Sequence, residues 1–134
     1  IRYTRNFIQP SNGLPCHELI LFRIALPSIG NATITLSNDK GEKVVMTYNA
    51  KAETFEMDRT KSGKTDFSNE FAAVTKAPTY GKISQFRIFI DKSSVEVLDA
   101  EGKMAMTNLV FPTKPYNKLT LKGKGKYMVY QIGK

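Results

Sequence analysis

Charged side chains on short extended segments are the residues of this chain that could carry chemistry. Asp58, Asp91 and Glu96 are carboxylates in two such segments, and Arg59 and Arg87 belong to the same segments. Two carboxyl groups about 5 Å apart are the arrangement that retaining glycosidases require. The arginines are equally placed to pair with these carboxylates and to satisfy them inside the fold. We favour structural ion pairing and leave ligand binding and catalysis open as alternatives.

The clearest local pattern is a β-hairpin between residues 86 and 98. Ile88 and Ile90 alternate with Arg87, so apolar and polar side chains point to opposite sides of one extended strand. A polar break at 92–94 precedes a second extended run at 95–98. The charged residues of this hairpin therefore lie on strands, where buried charges need partners.

Short β-rich runs separated by turn residues recur along the chain, and no window shows sustained helical periodicity. The sequence predicts strands at 18–26, 32–36, 43–48, 53–58, 86–91, 95–98, 104–111, 119–121 and 127–132. The chain has many short predicted strands, with a turn roughly every 8–12 residues. This pattern indicates an all-β, two-sheet antiparallel β-sandwich. The predicted core contains Leu21, Ile34, Leu36, Phe55, Met57, Ile88, Ile90, Val95, Val97, Leu109 and Leu121.

Length and composition fit one domain spanning 1–134. The hydrophobic fraction of 41% is that of a globular protein and too high for a disordered one. No apolar run approaches the roughly 20 residues of a membrane helix, so we expect no membrane partner. The chain begins without an initiator methionine or a signal-peptide pattern, and we interpret it as a piece of a longer protein.

The positive net charge of +8 raises the question of nucleic-acid binding. The densest basic cluster consists of Lys114, Lys118, Lys122, Lys124 and Lys126. This cluster lacks the interleaved aromatic residues and arginines of nucleic-acid sites, and lysines at strand edges also prevent aggregation. Nucleic-acid binding is therefore the weakest of the functions considered, and we expect no nucleic-acid partner.

The single cysteine, Cys16, stands beside the only histidine, His17. Such a pair raises the possibility of a thiol nucleophile. Neighbouring residues on a strand point to opposite faces, which argues against a catalytic pair. We interpret Cys16 as a small buried thiol, and predict no disulfide, metal or cofactor.

Three segments resemble signature segments of glycoside hydrolase family 32, which includes invertases, levanases and exo-inulinases. DKSSVEV at 91–97 is similar to the family's D-R-S-S-V-E-V-F segment, MDRTKSG at 57–63 to its L-D-R-S-x-S-G segment, and MTNLVFP at 106–112 to its L-T-x-x-I-F-P strand. They occur in the family's order. Two departures are Lys92, where the family usually has arginine, and Leu98, where it often has phenylalanine.

The resemblance implies the family's C-terminal β-sandwich, a concanavalin-like jelly roll, without its catalytic domain. The family's catalytic domain is a five-bladed β-propeller with an N-D-P-N-G-like segment, an R-D-P segment and an E-C segment. None of these segments occurs in this chain. We therefore expect no catalytic residues here, and a partner in the catalytic β-propeller of the same polypeptide.

The implied function is a non-catalytic accessory domain of a secreted or periplasmic fructan-hydrolysing glycosidase. The alternative is a stand-alone carbohydrate-binding module for fructose or fructan ends, and a homo-oligomer is a further candidate assembly. Carboxylates accept hydrogen bonds from sugar hydroxyls and arginines donate to them. The candidate carbohydrate-binding residues are Asp58, Arg59, Arg87, Asp91 and Glu96, with Tyr48, Tyr80 and Tyr116 as candidate platforms for a sugar ring or, as we favour, half-buried wall residues.

Overall fold

The computed structural model describes most of the chain. The described residues are 2–6, 20–25, 31–63, 74–80, 83, 85–90, 94–99, 101–102, 104–110, 112–114, 116–123 and 128–132; for 2–6, 20–25 and 128–132 the description covers the backbone and its pairing. Over these ranges the regular structure consists of strands, and no helix is long and apolar enough to cross a membrane.

Eleven strands make up the described regular structure. They are β1 (Arg2–Asn6), β2 (Ile20–Ala25), β3 (Ala32–Ser37), β4 (Lys43–Asn49), β5 (Thr54–Asp58), β6 (Val74–Pro78), β7 (Gln85–Ile90), β8 (Ser94–Asp99), β9 (Ala105–Leu109), β10 (Lys118–Gly123) and β11 (Met128–Ile132). Nine of them overlap the strands predicted from the alternation of polar and apolar residues. The other two, β1 and β6, were not predicted, because Arg2–Asn6 is almost entirely polar and Val74–Pro78 ends in proline.

The strands form two antiparallel sheets, which confirms the predicted β-sandwich. The first sheet has six strands in the order β1-β10-β3-β4-β5-β6, and the second has five in the order β11-β2-β7-β8-β9. Both β6 and β9 are edge strands. Pro78 is therefore tolerated at the end of β6, because one side of an edge strand needs no ladder hydrogen bonds.

Strict alternation of burial places the core between the two sheets. The buried residues of β3, β4, β5 and β8 alternate with half-buried ones, and those of β7 alternate with half-buried or exposed ones. The core is confirmed at nine predicted positions, each at most 1% exposed: Ile34, Leu36, Phe55, Met57, Ile88, Ile90, Val95, Val97 and Leu121. The burial of Leu21 lies outside the described side chains.

Leu109 was wrongly predicted to be a core residue, since the residue is 55% exposed. In β9 the buried residue is Met106, and Leu109 lies on the same side of the strand as the exposed Ala105 and Thr107. Val110, the next residue, is fully buried. The apolar pair at 109–110 leaves the sequence ambiguous about which of its two residues points inward.

Two tyrosines that we interpreted as half-buried wall residues are fully buried. The Tyr48 hydroxyl accepts a hydrogen bond from the backbone N–H of Ile83 at 3.0 Å, and its ring meets Phe86 edge-on with centroids 5.3 Å apart. The Tyr116 hydroxyl donates to the carbonyl oxygen of Ser62. Burial, with a smaller effect of the nearby carboxylate, raises the pKa of Tyr116, which keeps the hydroxyl protonated as a donor.

A polar cluster joins the β3–β4 turn to the segment before β10. The Glu42 carboxylate accepts from the Asn38 amide at 2.9 Å and from the backbone N–H and hydroxyl of Thr113 at 2.8 and 3.0 Å. Asn38 also donates to the Lys114 carbonyl at 2.8 Å. Burial alone raises the pKa of Glu42, but the hydrogen bonds from Asn38 and Thr113 together hold it below its ordinary value.

Replacing Glu42 by glutamine should destabilise the fold in a pH-dependent way. Because the folded-state pKa is depressed, the ionised carboxylate stabilises the fold above its ordinary pKa of 4.5, and this contribution is lost as the pH falls through the folded-state value. Glu42→Gln should lower the free energy of unfolding by about 1–2 kcal/mol at pH 7, measured by urea unfolding.

The difference between wild type and Glu42→Gln should shrink at lower pH. Glu56→Gln is the matched control, because Glu56 lies half-buried on the outer side of β5; its effect should stay within about 0.5 kcal/mol. A Glu42→Gln effect that stays constant from neutral to acid pH would contradict the account.

Candidate functional site

Asp58 ends β5 and lies on the outer face of the first sheet, half-buried. Its Oδ1 accepts the backbone N–H of Thr60 at 2.9 Å and the Thr60 hydroxyl at 2.6 Å. This turn forms because the carboxylate satisfies a backbone donor two residues further along the chain. The described hydrogen bonds of Asp58 thus come from the turn that follows it, whereas we had expected an arginine to be its partner.

A depression open to solvent has Asp58 in its lining. Its other lining residues are Lys43, Val45, Thr60 and Lys61. The hydroxyl and N–H of Thr60 lower the pKa of Asp58, and the charges of Lys61 and Lys43 add to the effect. The depression therefore presents an ionised carboxylate, a hydroxyl and two ammonium groups, which can accept from and donate to hydroxyl groups of a ligand.

Arg59 follows Asp58 directly but turns into the protein, where only 9% of it is exposed. Its Nη1 donates to the carbonyl oxygen of Leu109 in β9 at 2.9 Å, so it links the end of β5 to the edge of the second sheet. Burial lowers the pKa of Arg59, although a guanidinium stays charged at any ordinary pH. Arg59 therefore has a structural role, because it connects the two sheets.

Two further hydrogen-bond contacts join the two sheets on the same side of the sandwich. The Asn108 amide donates to Sδ of Met57 at 3.1 Å, and the Thr75 hydroxyl lies 3.3 Å from Oδ1 of Asn108. Met57 belongs to the first sheet, and Asn108 to the second. The segments 57–63 and 106–112, which carry two of the family-like motifs, therefore meet where the sheets join.

Arg87 and Glu96 lie on the outer face of the second sheet, with Arg87 exposed and Glu96 half-buried. Glu96 is the cross-strand partner of Phe89 on one side and of Thr107 on the other, and the Thr107 hydroxyl donates to its Oε2 at 3.1 Å. Asp91 lies outside the described residues.

The four candidate carbohydrate-binding residues that the structure describes consequently do not form one site. Asp58 lies on the outer face of one sheet, Arg87 and Glu96 lie on the outer face of the other, and Arg59 is buried at the edge between them. Their carbohydrate-binding role stays a prediction.

The sequence analysis missed the lysines that lie beside Asp58. The signal that could have found them is strand pairing, because Val45 is the cross-strand partner of Asp58 and Lys43 lies two residues away on the same face of β4. Of the three tyrosines considered as sugar platforms, only Tyr80 is exposed, at 75%. Cys16 and His17 lie outside the described residues, and the described ones contain no cluster of metal-ligating side chains.

The fold and the motif positions define a class: a two-sheet antiparallel β-sandwich of the kind that accompanies glycoside hydrolases. The sequence model described as "Glycosyl hydrolases family 32 C terminal" matches residues 12–131. The chain belongs to this family.

Similar proteins carry the same sandwich as a small part of a longer chain. A levanase of a Bacillus species is 33% identical over 66% of this chain and 10% of its own length. An extracellular exo-inulinase of Aspergillus niger is 34% identical over 69% of this chain and 16% of its own length. The crystal structure of the Aspergillus awamori exo-inulinase superposes with a TM-score of 0.69 at 20% identity, over 96% of this chain and 28% of that one.

The different environments of the two arginines predict effects of different size on the free energy of unfolding when each is replaced. Arg59→Gln removes a buried donor and leaves the Leu109 carbonyl oxygen without it, so the free energy of unfolding should fall by about 1–3 kcal/mol. Arg87→Gln, the matched control, should change it by less than about 0.5 kcal/mol because Arg87 is exposed. Urea unfolding of the two variants measures this difference, and equal effects would contradict the structural role of Arg59.

Proposed function

We propose that this chain is a non-catalytic accessory domain of a glycosidase that hydrolyses fructans or sucrose. The observation that carries the proposal is the family match, which covers residues 12–131 and bears the description "C terminal". The chain spans about a tenth to a fifth of the length of the curated relatives that it matches. Its own contribution would be to support a catalytic domain that precedes it in the same polypeptide.

The separation of the carboxylates supports a non-catalytic role. A retaining glycosidase needs two carboxyl groups about 5 Å apart. Asp58 and Glu96 point away from each other on opposite outer faces, and each accepts hydrogen bonds from a nearby threonine. A secreted or periplasmic location is part of the proposal, and the relatives called extracellular exo-inulinases support it.

The purified chain should release no fructose from levan, inulin or sucrose. The physical reason is that Asp58 and Glu96, the described candidate carboxylates, lie on opposite outer faces of the sandwich, whereas a retaining glycosidase needs two carboxyl groups about 5 Å apart. Reducing-sugar release should match that of a mock preparation from cells without the gene. Turnover that rises in proportion to the purified chain, and that the mock preparation lacks, would contradict the proposal.

Fructan binding at the Asp58 depression is the second candidate function. The specific observation in its favour is the lining: an ionised carboxylate between two lysines, beside the Thr60 hydroxyl. This combination of acceptors and donors suits a ligand with several hydroxyl groups. None of the described residues that line the depression is aromatic, so hydrogen bonds would have to provide most of the affinity from these residues.

Calorimetric titration with fructose, levan and inulin oligosaccharides tests this second function. If the depression binds fructan, titration should saturate, and Asp58→Asn should weaken binding at least about tenfold, the effect of losing charged hydrogen bonds. Glu56→Gln is the matched control, because Glu56 lies on the same strand and face, two residues before Asp58. Flat titrations of folded protein, or equal weakening by both variants, would contradict binding in this depression.

A further inference from the structure

We propose that Tyr80 is a platform on which this domain binds a sugar ring of a fructan chain. Tyr80 is 75% exposed, more than any other large hydrophobic residue in the described part of the chain. It lies two residues past the end of β6, beside the start of β5, whereas Asp58 lies at the other end of β5. The platform is therefore separate from the Asp58 depression, and the inference rests on the proposed function only for the choice of fructan as the ligand.

The backbone at Tyr80 has an unusual conformation. Its φ angle is 52°, in the left-handed region, and Glu53 across the β5–β6 pair has a φ of 55°. Over the described ranges, these two are the residues other than glycine that have positive φ. A bulky side chain at positive φ costs free energy because its Cβ crowds the following carbonyl group. Residues held in this way are concentrated at ligand sites, so the conformation of Tyr80 points to a functional role.

Buried residues before and after Tyr80 anchor the chain. Thr79 is fully buried, and its backbone N–H donates to the carbonyl oxygen of Glu53 at 2.9 Å, which extends the pairing of β5 with β6 by one residue. Ile83 is 1% exposed, and its N–H donates to the hydroxyl of the buried Tyr48 at 3.0 Å. The backbone is thus held at both Thr79 and Ile83 while Tyr80 stays in solvent. A ring on an anchored backbone loses little conformational freedom when a ligand binds.

The isolation of Tyr80 favours a small ring as its ligand over a protein partner. The other large hydrophobic residues described as exposed are Val74, at the far end of β6, and Leu109, in the second sheet. A stable protein interface buries roughly 800 Å² on each partner, whereas one aromatic side chain buries about 150–250 Å². A protein partner would therefore find too little apolar surface around Tyr80, but one sugar ring would be covered well.

The surroundings of Tyr80 place polar groups near its apolar ring. Lys51 and Glu53 are exposed in the adjoining turn at 50–53, and their ammonium and carboxylate groups can donate to and accept from hydroxyl groups. A sugar ring has C–H groups on its faces and hydroxyl groups around its edge. It can therefore lie on an aromatic ring and form hydrogen bonds at its side. This combination of groups fits a carbohydrate, and the proposed function makes fructan the carbohydrate to test.

Tryptophan emission tests the platform at the site itself. The chain contains no tryptophan, so Tyr80→Trp introduces a single local reporter and keeps an aromatic ring at this position. Leu109→Trp is the matched control, because Leu109 is also exposed but lies in the second sheet. Each variant of the 134-residue chain is titrated with levan and inulin oligosaccharides, and with polyethylene glycol of similar mass as a polymer without sugar rings.

Fructan should shift the emission of the Tyr80→Trp variant to shorter wavelength in a saturable way, because a covered indole ring loses contact with water. The emission of the Leu109→Trp variant should stay unchanged, and polyethylene glycol should change neither variant. An unchanged emission of Tyr80→Trp in fructan, or an equal shift in both variants or with both polymers, would overturn the platform. The accessory function would stand in that case, because it is tested by fructose release.

Calorimetric titration and urea unfolding of further variants separate binding from stability. Tyr80→Phe keeps the ring and should bind inulin oligosaccharides within about twofold of wild type, whereas Tyr80→Gly should bind at least about fivefold more weakly. Tyr80→Gly should leave the urea midpoint unchanged or raise it, because glycine adopts positive φ without the steric cost. The control, Leu109→Ala, should change the affinity less than about twofold because it lies in the other sheet. Unweakened binding by Tyr80→Gly, or a clear fall in its urea midpoint, would contradict the inference.

Discussion

The period of two along each strand is the constraint on which the rest of this structure depends. Successive side chains of a strand point to opposite faces, so each residue packed between the sheets forces its neighbours outward. Phe55 and Met57 are fully buried, and Asp58 is consequently half-buried on the outer side. Val95 and Val97 bury in the same way, which directs Glu96 outward from the other sheet. Packing of the core alone therefore places the carboxylates of Asp58 and Glu96 on opposite outer faces of the sandwich.

Arg59 continues this alternation one residue beyond the end of β5, so its side chain turns inward as those of Phe55 and Met57 do. The Asp58 carboxylate accepts from the backbone N–H and hydroxyl of Thr60 and closes a turn, and Arg59 donates to the Leu109 carbonyl of the edge strand β9. A buried guanidinium needs acceptors, and an edge strand has carbonyl groups to offer. The motif that contains both residues therefore has two roles: its aspartate shapes a surface depression, and its arginine joins the sheets.

The polar contacts outside the strands also give hydrogen-bond partners to groups that are partly or fully buried. Glu42 accepts three hydrogen bonds from Asn38 and Thr113, and Tyr116 donates to Ser62 across residues far apart in sequence. Each contact satisfies a polar group where the chain leaves a sheet. Such groups cost free energy when buried alone, so their pairing fixes how the turns lie against the core.

Sequence reasoning predicted most of the fold and little of the site, for physical reasons. Alternation reveals a strand and its buried face, which is why Ile34, Phe55 and Val97 were predicted correctly. It fails where two apolar residues adjoin, as at Leu109 and Val110, and where a strand is polar, as at Arg2–Asn6.

A site, in contrast, depends on which strands are neighbours. The order of the strands places Lys43 beside Asp58 and places Glu96 on the other sheet, and no local pattern encodes that order. The family-like motifs correctly indicated the family, but their described charged residues Asp58, Arg59 and Glu96 lie in different parts of the sandwich.

The central claim is that Asp58 and Glu96 lie far apart. The most direct test is the distance between spin labels at these two positions, measured by pulsed electron–electron double resonance. Spin labels would be attached through Asp58→Cys and Glu96→Cys in a Cys16→Ser background. Sheets of a sandwich stack about 10 Å apart and the labels project outward from both, so the account predicts a single distance above about 20 Å. A dominant distance below about 15 Å, as expected for two carboxylates that share one site, would contradict it.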